Sequence, residues 1–387
     1  MIELAPADKC SGCMACAAAC PANAISIRMD ALGNVLPELH PERCVRCGKC
    51  RRICPVLSPL PAVRSASAYA VWSLDPQNRS SSASGGAAAE FYAAALEQGA
   101  WICGAEYTPD MRVIHTLHRD ASAIQGYKQS KYVYSETGDV YRQIKEKLDA
   151  GEQVLMISLP CKIAGLLGYL GRPYEGLVTV DIVCHGTPPQ QMLREHISQI
   201  CPGLSNAWLS FRQDNSFIFR LTTDGKEVYR KVGRTDTYLA AFLEGLNYRE
   251  ACYHCSFAKQ ERVSDLTICD FWGLGTELPF AHPYTGSVSA VLVNTPKGRS
   301  FFEGMRDALF VEERPVSEAV NGNAQLKAPT IRHPDRERFE ALYHSKGFDG
   351  AVGEVLRKEM RAARWSLLQR RLRNGLRSFV KSLIKHH

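Results

Sequence analysis

Fifteen cysteines stand in this chain of 387 residues, and eight of them fall into two runs of identical spacing. Cys10-x2-Cys13-x2-Cys16-x3-Cys20 precedes Pro21, and Cys44-x2-Cys47-x2-Cys50-x3-Cys54 precedes Pro55. A cubane iron–sulfur cluster needs four thiolates converging from short loops. The x2 spacings let three sulfurs wrap one cluster, and the fourth, after x3, reaches the other. One [4Fe–4S] cluster is therefore expected on Cys10, Cys13, Cys16 and Cys54, and a second on Cys44, Cys47, Cys50 and Cys20. A zinc module or a disulfide knot is the alternative. Zinc sites commonly take their ligands in two pairs, not in two runs of four that each end in Cys-Pro. The opening residues, MIELAPADKCSGC, show neither the basic nor the apolar region of a secretory signal. A cytoplasmic, reducing location is expected, where so many thiols argue for metal ligation or redox chemistry.

The elements that must carry these groups change character along the chain. Residues 1–58 are short, cysteine-dense and punctuated by proline, and 59–67 read as a Pro-containing linker. From 68 onward strands and helices alternate. AYAVWS reads as a strand and AAAEFYAAALEQG as a helix; AWICGAEY and MRVIHTLH read as strands. YRQIKEKLDAG is an amphipathic helix. VLMISLP is a buried strand running into a helix, KIAGLLGYL, and GLVTVDIVCHG is a further buried strand before the helix QQMLREHISQI. Asp224-Gly225 between two alternating runs signals a hairpin. The expected fold is an α+β or α/β chain: a ferredoxin-like module, then a mixed-sheet α/β domain over 68–345, then a helical tail over 346–387. The tail carries the basic charge. From Leu356 onward ten Lys/Arg face one acid, so a net charge of +7 leaves the preceding residues at −2. The body has no compositional support for nucleic-acid binding. Trp365, Leu368, Leu372, Leu376, Phe379 and Leu383 fall on one face of the tail, which suits either peripheral contact with an anionic membrane or packing against protein. No stretch of 18 apolar residues suggests a membrane span.

Ser82, Ser84, Gly85 and Gly86 sit at a strand-to-helix turn, where free backbone N–H groups and small side chains suit a phosphate or a flavin edge. A plain loop is the alternative. No G-x-G-x-x-G follows a strand, so direct use of NAD(P)H has little support. Lys131 offers a positive charge that could face a flavin or merely solvent.

Residues 1–55 resemble the bacterial dicluster ferredoxins at all eight ligands and both prolines. Beyond them, RSSSASGGAAAEF (79–91), SKYVYS (130–135), LPCKIAGLLGYL (159–170), VDIVCHGTPP (180–189) and CYHCSFAKQERVSDLTICDFWG (252–273) occur in the order found in the coenzyme F420 hydrogenase/dehydrogenase beta-subunit family, which the chain resembles in its bacterial, ferredoxin-fused form. The resemblance implies FAD at the Ser82, Ser84, Gly85, Gly86 turn and at a second stretch, Ser130, Lys131 and Tyr132. It also bears on the other cysteines. Members of the family can carry a further [4Fe–4S] cluster, and Cys161, Cys184, Cys252 and Cys255 all lie inside the matching stretches. They are the expected ligands of a third cluster, against the alternative that they are small buried hydrophobes. Cys103, Cys201 and Cys269 read as structural. His185 is read as a hydrogen-bonded structural residue or a flavin neighbour, while Arg262, Asp265 and Asp270 could orient the Cys252–Cys255 loop.

These features together point to an oxidoreductase that passes electrons between [4Fe–4S] clusters and FAD. Coenzyme F420, a ferredoxin, a hydrogenase or dehydrogenase subunit, or another small molecule would be its partner. The rivals are a non-catalytic subunit wiring a larger redox complex and a redox-sensing regulatory protein. The spacing identifies no catalytic acid or base.

Overall fold

The computed structural model describes residues 3–213 and 215–385. An eight-stranded mixed sheet forms the centre, in the order Leu309–Arg314, Ser67–Ser73, Ser289–Val293, Leu266–Asp270, Leu177–Ile182, Val154–Ser158, Trp101–Tyr107, Val113–His118. Four neighbouring strands run parallel, from Leu266–Asp270 through Leu177–Ile182 and Val154–Ser158 to Trp101–Tyr107. Two of them, Val154–Ser158 and Leu177–Ile182, are the strands that read as buried apolar runs, as strands covered on both faces must. Antiparallel strands extend the sheet at both ends. A separate three-stranded sheet contains the expected hairpin, Ser216–Thr223 with Lys226–Val232. Its turn residues Asp224 (φ 49°) and Gly225 (φ 73°) are both left-handed, which suits a two-residue hairpin turn.

The cysteine-rich module is built into this body. It contributes the antiparallel pair Ile25–Met29 with Val35–Leu39 and two single-turn helices, Ala15–Ala18 and Lys49–Arg52. Within the expected linker, Val63–Arg64 pairs with Glu261–Arg262, so the segment leaving the module is stitched to the loop that follows Cys255. The helix Pro160–Leu170 opens with proline in its first turn and closes at Gly171, φ 68°. Along its face a side chain at Gly168 would stand 2.3 Å from the Ile53 carbonyl oxygen, and one at Gly165 would stand 2.9 Å from the Cys13 β-carbon. Only glycine permits the module to lie this close.

The tail forms the helix Arg357–Lys385, following Arg336–Val355, which bends at Gly347 (φ 67°). Leu356 and Met360 anchor its start in the core, whereas Trp365, Leu368 and Leu372 are exposed. The side chains of Leu376, Phe379 and Leu383 lie outside the described residues. Among the described residues no helix is long and apolar enough to cross a membrane.

One buried polar network joins three helices. His196, in Gln190–Ile200, has Nδ1 2.7 Å from Asp349 and Nε2 3.1 Å from Asp236. Tyr229 donates to the same Asp236 carboxylate at 2.9 Å. Burial alone would lower the imidazole pKa, but the bonds to Asp236 and Asp349 outweigh it and raise it to about 9. A group raised above its unfolded value stabilises the fold fully below the unfolded pKa, near 6.5, and loses that contribution as pH climbs through 9. Thermal or denaturant unfolding should therefore show stability falling by roughly 3 kcal/mol between pH 6.5 and 9.5. His196→Gln should flatten that part of the profile; an equal decline in the variant would refute the assignment.

Candidate functional site

The thiols gather into three neighbourhoods. Burial raises the pKa of Cys10, Cys13 and Cys16, and the thiol of Cys54, some forty residues away in sequence, acts on all three as a further like-charged neighbour. The crossover drawn from the x3 spacing is thus present in space. Cys50 is raised by burial, with Cys47 and Cys20 as its neighbours. Backbone N–H groups oppose these shifts: Gly12 at Cys10, Ala15 at Cys13, Ala17 at Cys16, and Arg51 at Cys50. The Ala24 N–H also donates to the Cys20 sulfur at 3.2 Å. Such donors stabilise charged sulfur, and they set the potential of a ligated cluster.

The third neighbourhood lies outside the module. Cys161, Cys184, Cys252 and Cys255 line one pocket together with His185, and Ser11 of the first cysteine loop forms part of its wall. Burial pushes the Cys161 thiol up to about 12 and the Cys255 thiol to about 11, and it raises the Cys184 thiol as well. Cys161 feels Cys255, Cys252 and Cys13; Cys184 feels Cys252, Cys161 and Cys255. Four thiols lining one pocket, three of them desolvated, suit a ligand that displaces their protons. Among the described residues no three His, Cys, Asp or Glu side chains converge tightly enough to share a single ion. A mononuclear zinc would draw its sulfurs to about 2.3 Å from one point. Four thiols are the kind of donor set that a [4Fe–4S] cluster uses.

Chain topology explains why these four meet. Cys161 sits in the first turn of Pro160–Leu170, at the carboxyl end of a parallel strand, and Cys184 follows the end of the next strand, Leu177–Ile182. Crevices in α/β sheets open at these ends. The short helix Glu250–Tyr253 and the following turn supply Cys252 and Cys255. Arg262 holds that turn, donating Nη1 to the Phe257 and Lys259 carbonyls while its other nitrogens grip Asp181 at 2.6 and 3.2 Å. Asp265 serves elsewhere, accepting from Thr179 and Thr295. Asp270 pairs with Arg212 at 2.8 Å, and both lie near His185, whose pKa burial lowers. Cys103 is fully buried, and Cys201 and Cys269 pack against core clusters, as structural cysteines do.

Residues adjoining the two stretches singled out for flavin meet. Ser82, Ser84, Gly85 and Gly86 form the turn into the helix Ala87–Glu97, with Gly86 at φ 91°. Lys128 donates Nζ to Ser81 Oγ at 2.8 Å, and Gln129 donates to the Ser81 carbonyl at 2.7 Å, so residues 128 and 129 lie beside the residue that precedes that turn. Gln129 Oε1 and the Tyr107 hydroxyl are buried there without a partner among the described residues. Unsatisfied polar atoms of this kind fit a ligand that would pair them. Other groups are already engaged. Lys131 gives Nζ to the Gly126 and Lys128 carbonyls, and burial pushes it down to about 7. Tyr132 stacks on Phe242 at 4.3 Å, within the aromatic core. Ser84 donates to the Val288 carbonyl and Ser82 to that of Asn78.

Residues 151–319 match the C terminus of the beta subunit of coenzyme F420 hydrogenase/dehydrogenase, and residues 9–57 match a 4Fe-4S dicluster domain. Over those residues the chain is similar to that beta-subunit family and carries the ligand pattern of an iron–sulfur electron-transfer protein. No curated protein matches the chain. Among solved structures, a chain of the F420-reducing [NiFe] hydrogenase complex from Methanosarcina barkeri, in a xenon derivative, shares 14% identity over 76% of this chain and 93% of its own, with a TM-score of 0.45.

Two buried cations in this chain escaped the cysteine pattern. Lys162 is fully buried, donates Nζ to the Gly12 carbonyl at 2.7 Å, and lies 4.2 Å from the Tyr134 ring centroid. Its charge acts on Cys10 and Cys13 on one side and on Cys161 on the other. Arg249, also buried, lies 4.7 Å over the other ring contact of Tyr134 and donates to the Val35 and Cys10 carbonyls. A lysine following Pro-Cys at a helix start was the only sequence signal for the first; nothing local marked the second. A fixed positive charge favours the more reduced, more negative state of a nearby centre. Lys162→Met should lower the midpoint potential assigned to the inner thiol set by roughly 50–100 mV, by Coulomb's law at an effective dielectric near 20. An EPR-monitored redox titration at unchanged iron content checks this; an unshifted potential would contradict it.

Proposed function

We propose that this chain is an iron–sulfur flavoprotein oxidoreductase that exchanges electrons between [4Fe–4S] clusters and FAD, with coenzyme F420, a ferredoxin or another small molecule as the outer partner. The reading gives Cys10, Cys13, Cys16 and Cys54 to an inner cluster and Cys44, Cys47, Cys50 and Cys20 to an outer one. It gives Cys161, Cys184, Cys252 and Cys255 to a third. One observation carries it: four of the seven cysteines outside the cysteine-rich module share a pocket whose wall includes Ser11, which stands between Cys10 and Cys13. A redox module alone would not need a third set of thiols at its border with the body.

FAD, when bound, would supply the conversion between two-electron and one-electron chemistry. The chain's contribution is placement. The Ser82–Gly86 turn and residues 128–132 would hold the cofactor through backbone N–H groups, the free Gln129 carbonyl and the Tyr107 hydroxyl. Lys131, poised near neutrality, would supply a proton or a charge at that edge. The Arg262–Asp181 pair would keep the Cys252–Cys255 turn in register with Cys161 and Cys184.

Anaerobically prepared full-length protein should hold about twelve irons, with matching acid-labile sulfide, and one FAD per chain. The double variant Cys184→Ser/Cys252→Ser should lose about four of those irons and keep the FAD. A wild-type content of about eight irons without flavin would overturn both the third cluster and the flavin site, leaving an electron conduit.

A further inference from the structure

The three thiol sets differ sharply in exposure. Cys10 and Cys13 of the inner set are buried, whereas Cys47 is exposed, the only cysteine in that class among the described residues. The outer set therefore faces solvent, and its surroundings carry one sign of charge. Residues 43–64 contain six Lys/Arg and no Asp or Glu, while the remainder of residues 1–355, which total −2 with these six included, sums to −8. Arg46, Lys49, Arg51 and Arg52 are exposed around Cys47 and Cys50, and Val45 between them is 66% exposed. Arg52 is committed to the loop, donating to the Cys47 carbonyl at 2.9 Å. Arg43 and Arg64 lie beside carboxylates, Glu42 and Glu261. Arg46, Lys49 and Arg51 form no ion pair among the described residues.

Exposed cations are usually just solvated. Three unpaired ones flanking the most exposed sulfur, with an apolar side chain among them, are what a small transient interface requires: a steering field at the rim and a contact at the point where an electron crosses. We propose that this basic face is the docking surface for a small acidic electron-carrier protein of the ferredoxin class, which exchanges electrons with the outer cluster. This rests on the assignment of a cluster to Cys20, Cys44, Cys47 and Cys50, and not on the flavin or the third thiol set. The transfer balances simply: the reduced carrier loses one electron, the outer centre gains it, and no bond forms or breaks.

The test uses the full chain with its iron and sulfide content verified, and a reduced acidic bacterial-type ferredoxin as the probe. Stopped-flow bleaching of the visible iron–sulfur absorbance gives the second-order rate, and needs neither flavin nor third cluster. The rate should fall steeply from about 20 mM to about 500 mM salt, where the Debye length becomes shorter than the rim. Arg46→Glu/Lys49→Glu/Arg51→Glu should cut the low-salt rate by about tenfold or more and erase most of the salt dependence. The milder Arg46→Gln/Arg51→Gln serves if the triple variant loses iron. Arg361→Glu/Arg364→Glu, the same kind of change on the exposed tail helix, should stay within about twofold of wild type. A wild-type rate indifferent to salt, or charge-reversed protein of full iron content reacting as fast as its parent, overturns the proposal. So does loss of binding to phosphatidylglycerol vesicles in the triple variant without a change in rate, which would make the face a lipid contact.

Discussion

Lys162 is fully buried, and its ammonium nitrogen donates to the Gly12 carbonyl and lies over the face of Tyr134. Stranding a buried charge costs several kcal/mol, and removing one partner of a buried pair about 3–5 kcal/mol. The loop between Cys10 and Cys13 is thus fixed to the first turn of Pro160–Leu170 by more than surface contact. Tyr134 donates to the same carbonyl at 2.7 Å, and Thr137 to that of Cys13 at 3.2 Å. The glycines at 165 and 168 clear the space that this attachment demands. Once the loop is fixed, Cys13 and Cys161 become neighbours, and the order of the redox groups follows.

Access to water falls from the outer thiols to the inner ones. The outer thiols face solvent amid unpaired cations. The inner thiols are buried against Lys162 and Arg249. Beyond them lies the pocket of Cys161, Cys184, Cys252 and Cys255, at the carboxyl ends of parallel strands. Burial strengthens every charge interaction along this line. The same two cations that attach the module therefore also bias the potential of what its thiols hold, so structural and electronic roles coincide in one pair of side chains.

The cysteine runs were legible in the sequence because their chemistry is local: spacing decides which sulfurs can wrap one cluster. Two of the parallel strands, Val154–Ser158 and Leu177–Ile182, were readable from their apolar runs and the hairpin from its Asp224-Gly225 turn, whereas Leu266–Asp270 was not. What escaped depended on packing between distant segments. Val63–Arg64 read as linker because its partner strand, Glu261–Arg262, lies about two hundred residues away. Asp265 looked like a support for the cysteine turn by proximity in sequence, yet it bonds Thr179 and Thr295, and Arg262 alone performs that task. Arg212, buried against Asp270 and near His185, had no marker in its own strand. The flavin stretches could be named only by resemblance; that residues 81 and 128–129 touch is a fact of the fold.

The central claim is that the inner thiol set and the body's thiol pocket hold clusters close enough to sense one another. EPR of the anaerobically prepared, fully reduced chain tests it most directly. The account predicts a broadened, interacting spectrum that simplifies in Cys184→Ser/Cys252→Ser protein. A wild-type spectrum already identical to that of the double variant would contradict it.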